Sequence, residues 1–118
     1  MAQQDTRDFK IILSSTIASD GTGTVEITLG SEGYYYLEKM TVSLSQTPPI
    51  WKQAVARTYR GTVSQDNFNE LTRSPEGDSS STSMRLRGSD VITATWEKCV
   101  AGSRCTLKLE GQYSEKGV

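Results

Sequence analysis

Cys99 and Cys105 are separated by five residues in the stretch WEKCVAGSRCTLKLEG, and thiols at that spacing admit three chemistries: a metal clip, a redox pair or a disulfide. A structural zinc site needs about four ligands, and the chain offers two cysteines and no histidine, which removes the metal. A redox pair usually has two intervening residues at a helix start, where the thiol pKa falls. Here five residues intervene between strand-like segments. Two readings remain. Cys99 and Cys105 could face each other across a β-hairpin and form a disulfide, whose short loop would contribute less than the roughly 3 kcal/mol of a fifteen-residue loop. Alternatively, Cys105 is a small buried residue in line with Leu107 and Leu109.

The absence of histidine also removes the commonest general base and the Ser-His and Cys-His routes to an activated nucleophile. Catalysis would then require two of the 14 acidic residues to converge, or a perturbed lysine. The expectation is a protein that is not an enzyme and carries no cofactor or metal. Asp66-Asn67-Phe68-Asn69-Glu70 does not fit a calcium loop, because Phe68 occupies a position where an oxygen donor is needed. Gly21-Thr22-Gly23 has neither the helix nor the lysine of a phosphate loop and reads as a hairpin turn.

Aromatic and arginine residues are the remaining candidates, and they point to contacts. Tyr34 and Tyr35, in the run Tyr34-Tyr35-Tyr36, resemble a stacking platform for a sugar, and Trp51 after a Pro-Pro pair is a candidate anchor for a glycan or a protein. Consecutive strand residues alternate faces, so at most two of the three tyrosines share a surface. Arg85 and Arg87 are candidates for pairing with a neighbouring subunit's carboxylates, against the plain reading of a wetted strand face.

These residues must be positioned by strands, because the chain shows short apolar alternation broken by Gly, Pro, Ser, Asp and Asn rather than a helical period. Residues 9–15 place Phe9, Ile11 and Leu13 on one face, and residues 24–29 place Val25, Ile27 and Leu29 inward. In residues 36–45, Tyr36, Glu38, Met40, Val42 and Leu44 share one face, and Thr47-Pro48-Pro49 ends the run. The phase of residues 53–60 stays open. Residues 61–88 read mostly as turns and loops, with a marginal strand over 78–85. Ile92, Ala94 and Trp96, then Cys105, Leu107 and Leu109, define two last strands expected to pair as a hairpin. The fold class is all-β, a single β-sandwich of seven or eight antiparallel strands with jelly-roll or immunoglobulin-like wiring.

A length of 118 residues suits one domain able to bury about two-thirds of its unfolded surface. Thirteen basic and 14 acidic residues give a net charge of −1, with no basic stripe for nucleic acid. No apolar run is long enough for a membrane, and MAQQDTRDFK has no signal core, so a soluble, unprocessed chain is expected. Residues 1–8 read as a polar, flexible arm that would order on a partner surface, with the sandwich over 9–118.

KMTVSLSQTPP, then ARTYRG, then GSDVITATWEKCVAGSRCTLKLEG resemble small β-sandwich virion proteins of tailed phages of actinobacteria, of the minor tail or head-decoration type. The likeness covers roughly residues 24–111 and consists of strand patterns and turn glycines. It implies a non-enzymatic virion protein on the particle surface, a capsid decoration or minor tail accessory, with phage capsid or tail proteins as partners and a homo-oligomeric state. Such a subunit would stabilise the particle or present a host-contacting surface. The alternative is a carbohydrate-binding β-sandwich module that takes a cell-surface glycan.

Overall fold

β-Branched and apolar residues at every second position can bury one side of a pleated ribbon, and two such ribbons packed face to face bury both. The computed structural model describes residues 6–30, 33–46, 53–73 and 78–115. It contains β1 (Thr6–Thr16), β2 (Gly23–Thr28), β3 (Tyr34–Leu44), β4 (Val55–Arg60), β5 (Phe68–Arg73), β6 (Asp78–Arg87), β7 (Val91–Glu97) and β8 (Arg104–Ser114). Two four-stranded sheets form, in the orders β1-β8-β3-β6 and β2-β7-β4-β5, with every pairing antiparallel. Each successive strand up to β4 changes sheet, as do β6, β7 and β8, and this interleaving is the jelly roll. The choice left open between jelly-roll and immunoglobulin-like wiring is thereby made.

The core lies between the sheets. Val25, Ile27 and Leu29 come from one side and Cys105, Leu107 and Leu109 from the other, with Trp96 fully enclosed. In β4 the small face turns inward, burying Ala56 and Thr58 beside Ala54, which resolves the open phase. Phe9, Tyr35 and Tyr113 pack as an aromatic cluster at one end, with Phe9 edge-on to Tyr35 at 5.2 Å and Tyr113 at 4.9 Å from it.

Several expectations are corrected. β7 and β8 do not form a hairpin, because they belong to opposite sheets. The Gly21-Thr22-Gly23 turn likewise crosses between sheets rather than closing a hairpin. Its shape comes from Asp20, whose Oδ1 accepts from the Thr22 backbone N–H at 3.1 Å and the Thr22 hydroxyl at 2.7 Å. β1 starts at Thr6, so residues 6–8 of the expected arm pair with Ser114, Tyr113 and Gln112. Residues 61–88, read mostly as loop, contain β5, which pairs with β4, and β6 extends two residues beyond the expected Arg85.

The last correction concerns β3. Leu37 pairs with Gly111 and Lys39 with Glu110, leaving Glu38 as an extra residue, a β-bulge that switches the inward phase. Tyr35 and Leu37 are inward before it, Met40 and Val42 after it. Gly111 makes the bulge possible, since a Cβ there would overlap the Tyr36 carbonyl oxygen and press on the Phe9 ring.

Candidate interaction face

Tyr34 and Tyr36 precede the bulge in β3 and face outward, and the register of β6 sets Arg87 beside Tyr34 and Arg85 beside Tyr36. The Arg85 guanidinium carbon lies 5.7 Å from the Tyr36 ring centroid, a cation–π distance. Arg60 reaches across from the other sheet and donates from Nη2 to the Arg85 carbonyl at 2.7 Å, fixing the backbone under the guanidinium. The same row continues over Gln112, whose Nε2 donates to Asp8 Oδ1. Two tyrosines and two arginines therefore meet on one outer corner of the β1-β8-β3-β6 sheet. Tyr34 is 39% exposed and both arginines lie in the solvent. Tyrosine and arginine recur among the residues that carry binding energy at protein interfaces, and a guanidinium fork matches a carboxylate in two-point geometry.

Of the sequence-derived contact candidates, Tyr34, Arg85 and Arg87 are brought together here. Tyr35 is not, because it is 9% exposed in the core, where its hydroxyl accepts from the Gly30 N–H at 3.2 Å. Tyr36 takes its place, for the reason that alternation gives: residues 34 and 36 share a face. Trp51 lies outside the described residues.

Cys99 and Cys105 are both free thiols and both buried. The hairpin across which they were to face each other does not exist, since Cys99 follows β7 in one sheet and Cys105 lies in β8 of the other. Each sulfur donates to its own carbonyl, Cys99 to Glu97 at 3.3 Å and Cys105 to Ser15 at 3.4 Å. Burial, with the neighbouring Cys105, pushes the Cys99 pKa up to about 11, and burial raises Cys105 too. Neither is a thiolate near neutrality, so neither is poised as a nucleophile.

At the end of the sandwich where β1–β2 and β7–β8 cross over, an open cavity of about 570 Å³ is lined by Asp20, Gln53, Lys98 and Cys99 among others. Gln53 and Lys98 hold left-handed backbone, with φ of 56° and 58°. The Asp20 carboxyl is held below its ordinary pKa by the Thr22 hydroxyl and amide. Among the described residues, no three His, Cys, Asp or Glu side chains gather to hold a metal.

Sequence reasoning missed a second surface. Ile12 and Leu13, adjacent in β1, are 56% and 45% exposed. Leu13 shares a face with Phe9 and Ile11 as expected, the inner side of the sheet opposite Leu107, yet β1 is the edge strand and Leu13 stays exposed there.

The sequence matches no protein-family model and no curated protein. In fold it is similar to a chain of the acid-stable capsid of Helicobacter pylori bacteriophage KHP30, with a TM-score of 0.59 at 10% identity over 95% of this chain and 93% of that one. It is similar to a chain of Desmodium yellow mottle tymovirus, with a TM-score of 0.50 at 6% identity over 98% and 90%. A Bacillus endospore appendage chain, from a family of disulfide-linked pili, is more distant, with a TM-score of 0.49 at 16% identity over 96% and 91%. Likeness at such identities establishes the β-sandwich and leaves activity to the site.

Proposed function

We propose that this chain is a non-enzymatic structural subunit of a phage particle, a capsid decoration or minor tail accessory that seats on the particle through its tyrosine–arginine corner. The observation that carries the reading is the jelly-roll strand order, in a fold similar along nearly the whole chain to the phage capsid chain. The corner supports it, because exposed arginines beside tyrosines suit an acidic partner surface better than a glycan. The sugar platform has lost Tyr35 to the core, and Tyr36 already lies under Arg85. The sequence resemblance to virion proteins of actinobacterial phages points the same way, toward a subunit on the virion surface.

The test is binding of purified chain to particles lacking it. Wild-type chain is expected to bind and to restore resistance to heat, whereas Arg85→Glu with Arg87→Glu lowers occupancy by about tenfold or more, since reversed charges meet like charge at the interface. Equal binding of the charge-reversed chain would remove the corner from the account, and no binding by wild type would remove the virion reading.

A further inference from the structure

An edge strand presents a row of unsatisfied amides and carbonyls, and proteins usually blunt it by shortness, bulges, proline or charge. Two edges are blunted this way: β2 has six residues with Glu26 outward, and β5 has six and a register break against β4. β1 is different. It runs eleven residues, has no proline or glycine, and pairs with β8 without a register break. It is an edge of its sheet, with Ile12 exposed on the outer face and Leu13 on the inner face.

We propose that β1 pairs antiparallel with β1 of a second copy about a two-fold axis at Ile11, joining two four-stranded sheets into one of eight. This deepens the reading of the chain as an assembly subunit and rests on it. The charge order of the strand argues for a second copy. Arg7, Asp8 and Lys10 lie in its first half, and Ile11 to Thr16 carry no charge. Antiparallel pairing centred on Ile11 sets Thr6 opposite Thr16, so the entire strand overlaps. It places Arg7 opposite Ser15, Asp8 opposite Ser14 and Lys10 opposite Ile12, and no like charges face each other. Parallel self-pairing would stack each charge on its twin.

The same register covers the apolar residues. Phe9 of each copy lies opposite Leu13 of the other on the inner side, where the sandwich rim is open, and the Lys10 stem lies over Ile12 on the outer side. β6, with the tyrosine–arginine corner, is the opposite edge of the sheet, so dimerisation leaves that corner available.

Sedimentation equilibrium of the purified full chain tests this. The expected mass is twice 13.0 kDa. Ile12→Lys, at an exposed position, sets the introduced ammonium against Lys10 of the other copy and is expected to weaken association by roughly tenfold or more. Adding Lys10→Glu makes an opposite-charge pair between copies in this register and is expected to restore the dimer. Because residues 10 and 12 also lie opposite Glu110 and Lys108 of their own chain, unchanged circular dichroism and urea midpoint in all three proteins separate lost pairing from lost folding. A wild-type monomer, a dimer indifferent to Ile12→Lys, or no recovery in the double variant would overturn the β1 pairing, as would a monomer whose β1 amides gain exchange protection only on a different protein. A monomer that still binds particles refutes the pairing and leaves the virion reading standing; a β1 dimer that binds no particle does the reverse.

Discussion

Gly111 carries no side chain at the point where β3, β8 and β1 are pressed together, and the space a methyl would need belongs to the Tyr36 carbonyl oxygen. Gly111→Ala is therefore expected to destabilise by about 3 kcal/mol or more, because backbone rather than a flexible side chain must yield. A urea titration against wild type measures it, and a loss below about 1 kcal/mol would mean that the bulge relaxes easily. The thiols give a second expectation. Cys99 titrates near 9.0 when unfolded and at about 11 in the folded chain. Its thiol is protonated in both states below the lower value. Between the two, only the unfolded chain ionises, so stability declines as pH rises through that window. The decline is expected to be shallower in Cys99→Ser, and equal slopes would contradict the burial argument. A thiol reagent should label neither cysteine in the folded protein and both after unfolding; no label after unfolding would reveal a disulfide instead.

Strands whose inward residues alternate without interruption were legible from the sequence: Val25 and Ile27 in β2 with Leu29 just beyond it, and Cys105, Leu107 and Leu109 in β8. β3 was legible as a strand but not in phase, since a bulge inserts one residue without any change in composition, and Glu38 looks like its neighbours. Deleting Glu38 removes the extra residue and leaves Tyr35, Leu37, Met40 and Val42 on one side in strict alternation. The variant is therefore expected to keep a cooperative urea transition, and a chain that no longer unfolds cooperatively would show that the bulge does more than set the phase. The β7–β8 pair misled for a related reason. Two apolar runs separated by a short loop fit a hairpin or a crossover equally well, and only the complete strand order distinguishes them. β5 was hidden because Asn69, Glu70, Thr72 and Arg73 outnumber its two apolar residues, and β6, legible only as a marginal strand over 78–85, gains its order from pairing with β3. Of the contact site, the arginines and Tyr34 were legible by type, whereas their adjacency to Tyr36 depends on the β3–β6 register.

Across the whole molecule, the two surfaces divide by edge. β1 offers backbone donors and an exposed Ile12-Leu13 pair to a second copy, and the β3–β6 corner offers guanidinium groups and phenol rings to a larger partner. A dimer built on β1 displays that corner twice, and two weak contacts linked in this way bind with an effective concentration that neither has alone. Ile12→Lys is accordingly expected to lower particle occupancy even though residue 12 lies away from the corner, and unchanged occupancy at limiting protein would separate dimerisation from attachment. The central claim is particle membership, and electron microscopy of particles carrying gold-labelled chain tests it most directly. Label at repeated, symmetry-related positions on capsid or tail is the expected result. Chain that remains free in solution while intact particles stay unlabelled would contradict the account.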